Sequence, residues 1–398
     1  MLTAELMNKL EEKEQRIIDI RRHLHEHPEL SFEEEKTSAY IENFYKELPV
    51  DTVDTNVGGH RGIVVTINGT KPGKTIAIRA DFDALPIQEE TELPFASKNE
   101  GVMHACGHDG HTAYMLVLAE TLAEMKEQLA GTVKIIHQPA EEMPPGGAIG
   151  MVKAGVLDGV DAVFGIHVMS TMDTGQIFYR SGNTQTGRAR FKLLVQGKGG
   201  HGSSPHMAND AIVAASSFVM NCQTIVSRRI NPFDTAVVTI GSFDGKGQFN
   251  IIKDSVAIEG DVRTMSAESR ELVEAEVRHF AKGLEESFGV ETTLEYVNDY
   301  PVLYNDPEMT ERVRQALIQA AIPEVDAVKE VAPQPPSEDF AYYLQEKPGC
   351  FFYVGAKPEG KEWYPHHHPK FEIDEKSLLI SAKAMAAVVA SFCGKSES

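Results

Sequence analysis

Apolar and polar positions fall into two regimes along this chain. Residues from about 3 to 26 carry the spacing of an amphipathic helix, which His27-Pro28 ends. Short, continuously apolar runs then alternate with helix-patterned stretches. The pattern predicts strands over Gly62–Ile67 and Thr75–Ala80, a helix from Thr112 to about Gln128, and a strand over Gly131–His137. A helix near Ala148–Ala154 and a strand over Ala162–Val168 follow. Strands that are apolar throughout, separated by amphipathic helices, predict an α/β fold with a mainly parallel central sheet flanked by helices. In such sheets chemistry collects beyond the carboxyl ends of the strands. Asp81, Glu141, Glu142 and His167 each fall at such an end.

The regime changes around Ser181–Gly187. Strands are predicted over Arg188–Gly197, Thr235–Phe243, Asp254–Thr264 and Glu291–Asn298, and helices over Ala208–Ser227 and Ala267–Phe288. The order β-α-β-β-α-β is that of a ferredoxin-like sandwich. After Tyr300 the first regime resumes, with helix Pro307–Ala320, a helical stretch at Ser337–Leu344, strand Cys350–Gly355 and a last helix from Glu375. The expected organisation is therefore a discontinuous first domain, residues 1–184 and 299–398, interrupted by an inserted domain, residues 185–298. No internal repeat or disordered linker interrupts it.

A length of 398 residues with 42% hydrophobic and 24% charged side chains suits two compact domains with a substantial core. The formal charge of −21 opposes nucleic acid or an anionic membrane as partner, since both repel an acidic surface. Met1–Arg22 is charged and helix-patterned without an apolar signal core, and no run approaches the length needed to span a bilayer. Cys106, Cys222, Cys350 and Cys393 are widely dispersed and lack the spacing of a disulfide framework, which points to a reducing cytoplasm. There Cys106 can act as a thiolate ligand, while the other three read as buried small hydrophobes.

Candidate chemistry begins at Met103-His104-Ala105-Cys106-Gly107-His108-Asp109-Gly110-His111. A lone Cys-x-His is usually a buried cysteine beside a capping residue, but the glycines at 107 and 110 let groups crowd around a ligand. A helix beginning near Asp109 would place its positive end here, which is expected to depress the Cys106 pKa. Adjacent carboxylates such as Glu141-Glu142 are usually a solvated pair. Here they follow a strand end and point in different directions, so Glu142 can bind metal while Glu141 faces the reacting water. A metal-bound water with a pKa lowered to about 7 still needs a base to take its proton. His167 ends an apolar strand, and at most one of His366, His367 and His368 is expected to bind. The zincin motif, the phosphate loop and the nucleophile elbow are all absent, which narrows the class to metal-assisted chemistry.

Six ordered segments carry a resemblance that spans almost the whole chain. Arg79-Ala80-Asp81-Phe82-Asp83-Ala84-Leu85-Pro86, Cys106–His111, His137-Gln138-Pro139-Ala140-Glu141-Glu142, His201-Gly202-Ser203-Ser204-Pro205-His206, Ser337-Glu338-Asp339-Phe340 and His367-His368-Pro369-Lys370-Phe371 resemble the metallo-amidohydrolase/aminoacylase family. That family includes hippurate hydrolase, plant auxin–amino-acid conjugate hydrolases and N-acetyl-diaminopimelate deacetylase. The resemblance implies a zinc-peptidase-like catalytic domain, an inserted ferredoxin-like dimerisation domain and two divalent transition-metal ions per subunit. Its implied ligands are Cys106, His108, Glu142, His167 and His367, with Cys106 as a bridge. Glu141 matches the general base and Asp81 the carboxylate that orients a ligand from behind. His201 resembles a histidine offered across the dimer to the substrate carbonyl. Asn250 and Arg263 resemble the residues that hold the substrate carboxylate. More distant relatives place a histidine ligand where this chain has Arg79, and an aspartate in place of the thiolate. The softer set leaves manganese, zinc, nickel and cobalt open.

The expected activity is metal-dependent hydrolysis of the amide bond in N-acyl amino acids or small peptide-like substrates, by a cytoplasmic homodimer or higher oligomer. Rival readings are a dipeptidase or carboxypeptidase, a non-catalytic metal-binding protein, and, weakest, a redox-sensing thiol at Cys106.

Overall fold

The computed structural model describes residues 2–394, which divide by their own contacts into two units. The larger runs to Gly182 and resumes over Tyr304–Ala332 and from Asp339 onward; the smaller comprises Asn183–Leu303 and Pro333–Glu338. The short return of Pro333–Glu338 to the inserted unit has no signature in the hydrophobic pattern, because so few residues carry no periodicity.

The chain opens with helices α1 (Leu2–Glu12), α2 (Glu14–Glu26) and α3 (Glu35–Tyr45), then strands β1 (Thr52–Val57), β2 (Gly62–Asn68) and β3 (Lys71–Asp81). Next come α4 (His108–Glu124), β4 (Ala130–Gln138), α5 (Ala148–Lys153), β5 (Ala162–Asp173), β6 (Gln176–Tyr179) and the short β7 (Gly182–Gln185). The insert contributes β8 (Gly187–Gln196), β9 (Gly200–His201), α6 (Ala211–Thr224), β10 (Ala236–Asp244), β11 (Ile251–Ile252), β12 (Ser255–Thr264), α7 (Ala267–Phe288) and β13 (Glu291–Tyr300). The closing part holds β14 (Leu303–Asn305), α8 (Pro307–Ala320), β15 (Ala327–Glu330), α9 (Ala341–Glu346), β16 (Gly349–Lys357) and α10 (Lys376–Cys393).

The single helix expected over 3–26 is two helices. At Lys13 the backbone leaves helical geometry (φ −105°, ψ 8°), and the apolar faces Leu6/Met7/Leu10 and Ile17/Ile20/Leu24 reach one common core. β1 escaped the sequence reading because an edge strand with exposed side chains shows no apolar run.

In the larger unit the strand order is β1-β2-β4-β3-β5-β16-β6-β15. The central strands β4, β3, β5 and β16 are parallel, whereas β1–β2, β2–β4 and β16–β6 pair antiparallel. The sheet is thus mixed, with the expected parallel arrangement at its centre. β5 is buried at every position from Ala162 to Ser170 and β16 from Gly349 to Ala356, as strands covered on both faces must be. On β16 alternate residues divide the work. Phe352 and Val354 join the core that includes α4 and α10, while Phe351 meets Phe340 at 5.0 Å between ring centres.

Contrary to expectation, α10 is long and apolar enough to cross a membrane by length and composition. Of its residues 89% are buried inside the fold, against β3, β4, β5 and β16 and against α1, α4 and α8. A helix enclosed on all sides is apolar all round for that reason. Its buried Lys383 is paired with Glu324 (2.6 Å) and Glu11 (3.2 Å).

The smaller unit has the antiparallel order β10-β12-β8-β13, with the β-α-β-β-α-β connectivity of a ferredoxin-like sandwich. β8 alternates cleanly: Phe191, Leu193 and Val195 are buried between outward Lys192, Leu194 and Gln196, so one face is covered. Helices α6 and α7 supply the cover through Phe218, Cys222, Val273, Val277 and Leu284. Gly260 is required on β12, since a Cβ there would lie 2.3 Å from the Phe191 ring.

Phe164, fully buried on β5 in the larger core, tests that packing. Phe164→Ala is expected to cost about 3–5 kcal/mol, measured as a fall in the urea midpoint at unchanged slope. An unchanged midpoint would place β5 outside the cooperative core.

Candidate metal centre

The larger unit's candidate residues gather at the carboxyl ends of its central strands. β3 ends in Asp81 and leads to Asp83; β4 leads through Pro139 and Ala140 to Glu141 and Glu142; β5 carries His167. Cys106 and Gly107 precede His108, the first residue of α4, and His367 lies in the connection from β16 to α10. Gly107 makes this approach possible: it has φ +92°, and a Cβ would stand 2.5 Å from the Val168 side chain. The loop of His367 is pinned beside the thiol, because its backbone N–H donates to the Ala105 carbonyl at 2.8 Å.

Ligand-capable atoms of Cys106, His108 and His167 lie within 4.8 Å of one another, and so do those of Cys106, Glu142 and His367. The thiol belongs to both groups. Glu141 joins His108 and Glu142 in a third.

Hydrogen bonds fix which ring nitrogens are free. His108 Nδ1 donates to the Asp83 carbonyl (3.0 Å) and faces Asp83 Oδ1 (3.1 Å), which leaves the lone pair on Nε2. That Nε2 is buried and has no hydrogen-bond partner, 3.7 Å from Asp81 Oδ2 and 3.9 Å from Glu142 Oε1. His167 Nδ1 donates to the Val168 carbonyl (2.7 Å), so its Nε2 faces Cys106 Sγ at 3.5 Å with a lone pair. Among the terminal histidines, His366 Nε2 accepts from Ser170 N–H and His368 Nδ1 from Lys370 N–H. His367 alone turns to the acidic group, its Nε2 3.1 Å from Glu142 Oε1.

The charge balance favours a cation. Burial alone would lower the His108 pKa, but Asp81, Asp83 and Glu142 outweigh it and hold the ring up to about 10. A field that draws a proton to Nε2 draws a metal ion equally. Burial keeps His167 well below its ordinary value, reinforced by His111 and His366, so its lone pair stays available. The hydrogen bond to Glu142 raises His367. An orphaned imidazole nitrogen, a shared thiol and surplus carboxylate together fit a transition-metal centre.

Two expectations change. The helix N-terminus was expected to depress the Cys106 pKa; burial and the charges of Glu142 and Glu141 push it well above the ordinary thiol value. The thiolate therefore requires a bound cation. Asp81 was expected behind a ligand; its Oδ1 takes the His111 Nδ1–H at 2.6 Å and its Oδ2 pairs with Arg79 at 2.5 Å. Since His111 Nε2 accepts from the Val168 N–H, neither nitrogen of that ring is free to ligate. The carboxylate behind His108 is Asp83, which the sequence reading passed over. Its signal was its place two residues beyond Asp81, on the same side of the extended chain.

His201, Asn250 and Arg263 lie in the smaller unit. His201 on β9 pairs with Ile251 on β11, and the Asn250 carbonyl accepts the Gly202 N–H at 2.8 Å, so His201 and Asn250 are neighbours. His201 Nδ1 is engaged by Ser203, which leaves its other nitrogen outward on an exposed residue. Arg263 donates to Asp261 (2.9 Å) and Ser337 (3.1 Å) and is half-buried.

Comparison with known proteins identifies the family. Residues 77–391 match peptidase family M20/M25/M40, and the chain belongs to that family and is a hydrolytic enzyme. It is 44% identical over 395 residues to the putative amidohydrolase YhaA of Bacillus subtilis, covering 98% of each chain. It is 40% identical to the N-acetyl-L-cysteine deacetylase of the same organism, over 92% of this chain and 85% of the relative. Among solved structures, a putative aminohydrolase from methicillin-resistant Staphylococcus aureus superposes with TM-score 0.93 at 64% identity, over 97% of this chain and 98% of that one. The YXEP protein of Bacillus subtilis, described as a dinuclear metal-binding peptidase of the M20 family, superposes with TM-score 0.82 at 35% identity, over 95% and 98%.

Because the Asp83 carboxylate backs the His108 ring and anchors the Glu142 N–H, Asp83→Ala is expected to weaken metal binding about 10–100-fold. Competition against a chelator measures this directly. Undiminished affinity would mean that the backbone carbonyl of residue 83 orients the ring without the carboxylate.

Proposed function

We propose that the chain is a two-metal amidohydrolase that splits N-acyl amino acids. The observation that carries this reading is the thiol of Cys106 shared between two ligand groups, with Glu141 beside both His108 and Glu142. Cys106, His108 and His167 would hold one ion, and Cys106, Glu142 and His367 the other. The ions supply Lewis-acid polarisation of the scissile carbonyl and a water acidic enough to attack at neutral pH. A thiolate and imidazole set suits zinc, cobalt or nickel, and the carboxylate admits manganese.

Glu141 holds the proton taken from the attacking water and passes it to the leaving nitrogen, which departs as an amine. With their Nδ1 protons donated to carbonyl oxygens, His108 and His167 would each present Nε2 to a bound ion. Asp81 keeps the Arg79 charge and the His111 ring in place rather than meeting substrate. His201 is proposed to donate to the developing oxyanion from a partner subunit, with the smaller unit as the dimerisation domain and the larger as the catalytic domain. Asn250, beside His201, and Arg263 would receive the free carboxylate. Arg263 must exchange its bond to Ser337 for the substrate. A cytoplasmic setting agrees with four unpaired cysteines.

The relative named as an N-acetyl-L-cysteine deacetylase favours an acyl amino acid over a true peptide, while the family's peptidase name keeps short peptides as the second reading. N-acetyl-methionine and hippurate are expected to turn over faster than Gly-Leu; the reverse order would make this a dipeptidase. Glu141→Gln is expected to lower kcat about 10²–10⁴-fold with metal content unchanged by elemental analysis. Full turnover by that variant would sink the assignment of the base.

A further inference from the structure

Glu141 and Glu142 ride on the connection between β4 and α5, which has an imposed shape. Ala140, the residue before the base, has φ +53°, a left-handed value that costs a residue bearing a Cβ. Something must hold it there. Three carboxylates from other parts of the chain each take one backbone N–H of this segment. Ala140 N–H donates to Glu34 Oε1 (2.8 Å), Glu142 N–H to Asp83 Oδ2 (3.0 Å) and Ala148 N–H to Asp339 Oδ2 (3.0 Å). All three acceptors are almost wholly buried, with 0%, 1% and 0% of their surface exposed. Burying three acids is expensive unless their bonds are needed.

Asp83 is accounted for by His108. Asp339 is braced by Arg79 (3.0 Å) and by the Gln138 amide (2.8 Å), and a Cβ on Gly146 would come within 2.3 Å of it. Glu34 has no part in the proposed ligand set or in the chemistry. It reaches the connection from the start of α3, and its hydrogen bond falls on the strained residue itself. We propose that Glu34 is a positioning residue for Glu141: by accepting the Ala140 N–H it holds the left-handed turn that aims the base, while Asp339 fixes the far end of the same segment. This rests on Glu141 being the base. Burial and the nearby Asp83 charge push Glu34 up to about 7, so its acid form is present at neutral pH. The carbonyl oxygen of that form still accepts, and a glutamine reproduces it.

The test compares Glu34→Ala with Glu34→Gln in the full-length, metal-loaded enzyme, using N-acetyl-methionine as substrate. Glu34→Ala is expected to lose about 10–100-fold in kcat, with KM and metal content unchanged. Glu34→Gln is expected to keep most of the parent kcat. Adding Ala140→Gly to Glu34→Ala should restore part of the loss, because glycine holds a positive φ without help. Parent-like kcat in Glu34→Ala, or a Glu34→Gln as slow as Glu34→Ala, overturns the proposal. If Glu34→Ala does not fold, Glu34→Gln decides: retained kcat supports the proposal and lost kcat with metal bound overturns it. Glu141→Gln run in parallel separates the two readings. An active Glu141→Gln removes the base itself, whereas an inactive one beside a fully active Glu34→Ala removes only the role of Glu34.

Discussion

A surplus of buried negative charge governs the larger unit. Asp81, Asp83, Glu141 and Glu142 converge at the ends of β3 and β4, and the guanidinium of Arg79 is committed to Asp81 and Asp339. Carboxylates in such a place are tolerated only when hydrogen-bonded and balanced by cations. The hydrogen bonds are present in the backbone N–H groups, Ser31 and the His108 and His111 rings. The remaining balance falls on whatever occupies His108 Nε2 and the Cys106 thiol. The metal centre is therefore a term in the stability of the fold as well as its chemistry, and the scaffold's strand ends, helix start and terminal loop are all tied to it.

Weighing the terms explains why local reasoning gave the wrong sign for Cys106. A helix N-terminus favours a nearby anion by about 0.3–1 kcal/mol. Burial and like charge act at about 1.4 kcal/mol per pKa unit and reach several units in enclosed sites. With Glu141 and Glu142 both close, the second effect wins. Without a metal the thiol is thus held protonated, and a bound metal ion would replace its proton.

Legibility in the sequence followed the range of the interactions concerned. The buried strands were visible because covering a sheet on both faces forces an unbroken apolar run, as in Ala162–Val168. The alternating strands of the insert were equally plain. The candidates Cys106, His108, Glu142 and His367 were legible because short segments each keep their chemistry local, and His167 because it ends an apolar strand. The break at Lys13 was invisible: it answers to the shape of the distant core rather than to its neighbours. Asp83 and Glu34 were missed for a related reason, since each acts on a backbone N–H, 59 and 106 residues away respectively, and backbone donors leave no trace in composition. The membrane-length α10 shows the converse, an apolar run explained by enclosure.

The orientation of the rings has one further source in the sheet. β3 and β5 pair only from Ile76–Ala162 to Arg79–Gly165, after which the strands part. Beyond that point the β3-facing edge of β5 is left to side chains, while its other edge stays paired with β16, and buried backbone groups must find partners. Val168 gives its N–H to His111 and takes the Nδ1–H of His167 on its carbonyl. A continuous chain of contacts then runs from Arg79 through Asp81, His111, Val168 and His167 to Cys106. A guanidinium, that of Arg79, stands at the head of that sequence. Arg79 contributes charge and direction from behind, and the Cys106 thiol stands at the other end. The divergence of two parallel strands thus converts unspent backbone polarity into a defined set of lone pairs.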